Sequence, residues 1–140
     1  MIRYVIDAGV AVKCYVPEIH TLSAEKLLDE NHELHAPDLI LPEFSNIIWR
    51  KIRRSELSVA KGRQIIETFL RVPLQRHPAD RLVEPAFVIA DRTAQTIYDS
   101  IYLVLAIALN CKMVTADEKF YETISQTPFS THILWVQDLP

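Results

Sequence analysis

The sequence predicts an α/β fold built on a parallel sheet. Short runs rich in β-branched and aromatic residues alternate with segments of helical periodicity, the pattern of strands joined by right-handed crossover helices rather than by hairpins. The most apolar segment, IYLVLAIAL at 101–109, is apolar almost all round, as a helix packed centrally on a sheet must be. No internal repeat, low-complexity tract or linker interrupts the 140 residues. That length suits one sizeable core, so the expectation is a single domain over 1–140.

The elements follow in order. IRYVI at 2–6 reads as a strand closed by Asp7. VAVKCY reads as a short helix ended by Pro17, with Val10, Val12 and Val16 turned to the core. TLSAEKLLDE at 21–30 has helical spacing at Leu22, Leu27 and Leu28. ELHAP at 33–37 is a short second strand. Asp38 is the expected N-cap of a helix through LILPEFSNIIWRKIRR, with Phe44, Ile47, Ile48 and Ile52 on one face and Pro42 near its first turn. Ser58 caps a helix with Ile65, Ile66, Phe69 and Leu70 inward. VPLQRHP at 72–78 is a short strand. Pro78 and Asp80 open a helix with Leu82, Val83, Ala86, Phe87 and Ala90 on one face. DSIYLVLAIALN at 99–110 is the buried helix, KMVT at 112–115 a strand ending toward Asp117, and HILWVQDL at 132–139 a last strand.

Composition narrows the function. A net charge of −3 argues against a general grip on polyanions, so any nucleic-acid contact must come from a local patch. Only Gly9 and Gly62 are glycines, and neither GxGxxG nor GxxxxGK[ST] occurs, which argues against phosphate-loop folds. Cys14 and Cys111 are far apart among apolar neighbours, as buried free thiols of a reducing compartment would be. The N-terminus lacks a signal-peptide pattern, and the longest apolar run is about half of a membrane span. A cytoplasmic protein is expected.

Four carboxylates share one positional logic. Asp7 and Asp117 follow strands, while Glu43 and Asp99 lie at helix starts. In a parallel α/β sheet, strand C-termini and helix N-termini meet along the ligand-binding edge. Taken singly, each acid has an ordinary reading as a cap, a turn residue or a dipole partner. Together they cannot all stay ionised at close range without compensation. Hard oxygen donors without a His or Cys pair suit Mg²⁺ or Mn²⁺.

The joint pattern resembles the PIN-domain family over nearly the whole chain, through IDAGVAVKCYVPE, APDLILPEFSNIIW and, most specifically, YDSIYLVLAIALNCKMVTADEKF. The resemblance implies a three-layer α/β/α fold with a central, mainly parallel sheet of about five strands. Its short bacterial and archaeal members include many VapC-type toxin ribonucleases paired with an antitoxin. It therefore implies a metal-dependent endoribonuclease using Mg²⁺ or Mn²⁺, an antitoxin partner and a homodimer. It places the acidic site on Asp7, Glu43, Asp99 and Asp117, with Asp7 and Asp99 as principal metal ligands and Thr115 as a supporting hydroxyl. One departure stands out: the family often has a small hydroxyl residue two positions after the first aspartate, where this chain has Gly9.

Other candidates are weaker. HELH at 32–35 is one residue short of HExxH, and Ala36-Pro37 argues against a continuing helix. Arg50, Lys51, Arg53 and Arg54 form a basic cluster that is either a solvated helix end or an RNA contact. Trp49 beside it suits core or dimer packing better than base stacking. Two competing functions remain. One is a catalytically weak RNA- or protein-binding module of the same fold, which Gly9 favours. The other is a phosphohydrolase or phospho-receiver. The former of this pair needs a second acid at position 9, and the receiver needs a lysine after a late strand, whereas Lys112 stands at the wrong end of its strand.

Overall fold

The computed structural model describes residues 1–140. The elements in chain order are β1 (Ile2–Ile6), α1 (Ala8–Lys13), α2 (Thr21–Glu25), β2 (His32–Pro37), α3 (Ile40–Arg53), α4 (Val59–Phe69), β3 (Gln75–His77), α5 (Val83–Thr93), α6 (Ile97–Ala108), β4 (Lys112–Thr115), α7 (Glu118–Ser125) and β5 (Ile133–Trp135). Short 3₁₀ turns fill Lys26–Leu28, Ala79–Arg81, Pro128–His132 and Val136–Asp138.

The five strands form one sheet in the order β3-β2-β1-β4-β5, and every pairing is parallel. Helices cover both faces, giving three α/β/α layers. The central β1 carries buried Tyr4, Val5 and Ile6. α6 packs against β1, β2 and β4, and Ile101 through Ala106 are buried without a break, which accounts for its unbroken apolar sequence. Each fully buried aliphatic side chain in this core adds about 1.5–3 kcal/mol before its ordering entropy is counted.

Strand order places the site. From β1 the chain builds outward to β2 and β3, then returns to the other side with β4 and β5. The reversal opens a crevice beyond the C-terminal ends of β1 and β4. Ile6 pairs with Val114, so Asp7 comes off the sheet beside Thr115, two residues before Asp117.

Several elements differ from the sequence reading. Asp38 does not cap α3. Leu39 holds the N-cap position without a side-chain bond, and the Asp38 carboxylate accepts from Ala79 N–H across 41 residues at 3.1 Å. The 21–30 helix tightens to a 3₁₀ turn at Lys26, leaving Leu22 and Leu28 exposed and only Leu27 buried among its three leucines. The strands near 72–78 and 132–139 shrink to three residues each. Val83 and Phe87 point outward, while Leu82, Ala86, Ile89 and Ala90 face the core. Leu70 and Trp49 are exposed. Both cysteines are free but only half-buried. Residues after Asp117 form α7, held by Phe120 and Ile124, a stretch to which the sequence reading assigned no element. No helix is long and apolar enough to cross a membrane.

Candidate active site

Asp7 is the N-cap of α1: its Oδ1 accepts from Val10 N–H at 2.8 Å. No protein donor reaches its other oxygen. Asp117 repeats the device one strand away, capping α7 by accepting from Phe120 N–H at 3.0 Å. The fully buried Thr115 shapes that turn, its Oγ1 accepting from Asp117 N–H at 3.1 Å. Asp99 lies in the first turn of α6, which the Thr96 side chain caps. Its N–H donates to Thr96 Oγ1, and the same hydroxyl donates to Asp99 Oδ2, each at 3.2 Å. Glu43, in the first turn of α3, accepts from the hydroxyl of Tyr102 at 2.6 Å. The cap readings and the site reading are therefore compatible: capping is how three of these acids are held at the sheet edge.

All four carboxylates line one cavity of about 640 Å³, with Gly9, Lys13, Glu18, Asn46, Arg50 and Lys51 among its other walls. Its electrostatics show the cost of convergence. Asp7 retains partial access to the cavity, yet burial lifts its pKa to about 7 against the Val10 hydrogen bond, with the charges of Asp99, Glu43 and Asp117 adding to the rise. Burial also raises Glu43 and Asp99, the latter further through Asp117, while Tyr102 and Thr96 each pull their partner back down. The Tyr102 hydroxyl is pushed up by burial and by its bond to Glu43, so it stays a donor.

The donor chemistry suits a hard divalent cation. The acidic groups facing the crevice are all carboxylates, with no His or Cys in its lining, and their pKa values are raised first by burial and then by one another's charges, which a cation would offset. No three acidic, histidine or cysteine side chains stand together as a ready ligand set. That spacing fits an ion that keeps much of its own water better than a closed protein cage.

The structure divides the basic cluster. Arg50 and Lys51 reach the cavity wall, whereas Arg53 and Arg54 are exposed beyond it at the end of α3. Lys51 Nζ meets Glu18 Oε2 at 2.8 Å, and Lys13 Nζ meets Glu18 Oε1 at 3.2 Å. Burial pushes Glu18 up, but the hydrogen bonds of Lys51 and Lys13 outweigh it and hold the carboxyl below its usual range. Lys13, Glu18, Thr96 and Tyr102 escaped the sequence reading. Thr96 was findable from T-x-x-D at 96–99, while Tyr102 looked like one more apolar residue of α6. HELH lies on β2, where His35 bonds Glu33 at 2.6 Å and His77 at 2.8 Å in a polar chain away from the cavity.

Fold and site together define a small, all-parallel α/β protein with a carboxylate-lined crevice at its topological switch point. The PIN domain model matches residues 4–124, and the chain belongs to the PIN-domain family. Ribonuclease VapC3 of Pyrobaculum aerophilum is 30% identical over 122 residues, spanning 86% of this chain and 93% of that protein. Among solved structures, PAE2754 of Pyrobaculum aerophilum superposes with a TM-score of 0.71 at 19% identity, covering 99% of this chain and 86% of that one. A chain of a toxin–antitoxin complex from Klebsiella pneumoniae gives 0.61 at 8% identity, covering 94% and 95%.

Proposed function

We propose that residues 1–140 act as one domain, a metal-dependent endoribonuclease that is the toxin of a toxin–antitoxin pair. The observation that carries the reading is the convergence of Asp7, Glu43, Asp99 and Asp117, from four separate elements, on one cavity. The relative named a ribonuclease supports the reaction class, and the fold shared with a toxin–antitoxin complex supports the partner. The substrate is single-stranded or looped RNA, whose backbone is accessible. Two free cysteines suit a reducing cytoplasm.

Asp7 and Asp99 would be the principal ligands for Mg²⁺ or Mn²⁺, with Glu43 and Asp117 completing the acidic shell. Bound there, such an ion would supply Lewis acidity toward the phosphate and the attacking water. Tyr102 orients Glu43, Thr96 orients Asp99, and Thr115 shapes the turn that presents Asp117. Arg50, Lys51, Arg53 and Arg54 guide the RNA backbone toward the cavity. The exposed Val83, Phe87 and Val88 of α5 offer apolar surface to a second copy.

The test is cleavage of a mixed RNA pool by purified, antitoxin-free protein with Mg²⁺, with Mn²⁺ and with EDTA, beside Asp99→Asn. Expected is cleavage that requires metal and falls at least 100-fold in the variant, the scale of losing one preorganised electrostatic group. Gly9 favours a second reading, a binding module that retains the fold. Folded protein that binds RNA without cutting it under either metal would select that reading.

A further inference from the structure

Lys13 ends α1 and is only 8% exposed. A lysine so enclosed needs a partner, and Glu18 supplies one. Glu18 does more than neutralise Lys13, because its second oxygen holds Lys51 from α3. Its own backbone N–H is tied to Thr21 Oγ1 at 2.9 Å, which fixes the segment carrying it. One carboxylate thus pins two ammonium groups from two helices, and the set keeps a net positive charge. Each ammonium has three donors and gives one to Glu18. All three side chains line the acidic cavity. Asp7 and Lys13 stand at opposite ends of α1, about 9 Å apart along its axis at 1.5 Å per residue. Lys13 is therefore set back from Asp7 along the wall of the same cavity.

We infer that Lys13, Glu18 and Lys51 form a phosphate subsite for the backbone phosphate next to the one at the carboxylates. The inference rests on the reading that the cavity takes RNA and narrows the substrate to a chain with at least two consecutive phosphates. Glu18 is a positioning residue: it touches no phosphate but holds the groups that do. A carboxylate near a polyanion ordinarily weakens binding, so its removal separates the two accounts by sign.

Binding is measured by fluorescence anisotropy with a labelled oligoribonucleotide, Mg²⁺ present, in the Asp99→Asn background over a NaCl series. Cleavage kinetics in the otherwise native chain compare that oligonucleotide with a dinucleoside monophosphate. Lys51→Ala is expected to weaken oligonucleotide binding about fivefold and to flatten the slope of log affinity against log salt by about 0.7, one phosphate contact on a single strand. It should raise KM for the oligonucleotide with kcat little changed, and raise it by a much smaller factor for the dinucleoside monophosphate, which has no second phosphate. Lys51→Arg should restore most of the loss. Glu18→Gln should weaken binding although it removes a negative charge. An unchanged salt slope in Lys51→Ala, or tighter binding in Glu18→Gln, overturns the subsite. Thermal melts establish that each variant is folded, and Lys13 is left intact because it is buried. A chain that cuts neither substrate would defeat the nuclease reading alone, since the binding series still decides this one.

Discussion

Gly9 faces the cavity in the first turn of α1, two residues after Asp7. Its φ is not positive, so nothing in the backbone demands glycine. A Cβ built there would lie 3.6 Å from Asp7 Oδ1, ordinary van der Waals contact. Gly9→Ser therefore fits without rearrangement and sets a hydroxyl beside the most strongly perturbed carboxylate in the site. The variant should cleave RNA several-fold faster, because a donor at Asp7 favours the ionised form that binds a cation. It should also gain about 0.5 kcal/mol of stability from leaving glycine in a helix. Steady-state kinetics beside a thermal melt read both. Unchanged kcat with raised stability would show that the site does not need the hydroxyl.

At the scale of the element, scarcity of glycine leaves a mark. Helix α5 ends on Ala94 with φ 56, a left-handed C-terminal position that glycine ordinarily fills. Ala94 is exposed and its side chain packs on nothing that would be lost. Ala94→Gly should stabilise the fold by about 0.5–1 kcal/mol, the left-handed penalty less the extra freedom of an unfolded glycine. A higher midpoint in urea with the same slope is the expected result, and a lower one would refute the strain. The elements that sequence made legible share a property: β1, β4 and α6 each carry an unbroken run of buried residues, so their pattern needs no knowledge of neighbours. The four carboxylates were legible because caps and strand ends follow from local sequence. What escaped depends on contacts between distant residues. Asp38 serves Ala79 instead of its own helix, Tyr102 reaches Glu43 across 59 residues, and Lys51 reaches Glu18 across 33. α7 escaped for a different reason, since two turns with only Phe120 and Ile124 inward give too short a period to read.

For the whole molecule, the site opposes the fold when no cation is bound. Asp7 titrates near 7 in the native state against 3.8 for the unperturbed group. The native state therefore holds a proton that the unfolded chain has released. The stability tied to that proton is full below about pH 4 and is lost as pH rises through about 7. Glu43 and Asp99, also raised, act with the same sign. Glu18 and Glu33, held low by their basic partners, act oppositely, but their window lies below the unperturbed carboxylate value of 4.5. His77, lowered by burial and by His35, gains the fold stability as pH rises and would mask the trend in a single melt series. Comparison with Asp7→Asn cancels it. Asparagine keeps the α1 cap and the volume while removing the charge. In EDTA at pH 8 the variant should be more stable than the native chain by on the order of 1–2 kcal/mol, after discounting for the solvent that Asp7 still meets. That difference amounts to several degrees in Tm and should close toward pH 5. Saturating Mg²⁺ should reverse the order at pH 8, because a ligand bound only to the native state adds stability that Asp7→Asn cannot capture fully. A gap that stays constant from pH 5 to 8, or Mg²⁺ that stabilises both chains equally, would mean that Asp7 neither carries the buried charge nor meets the ion.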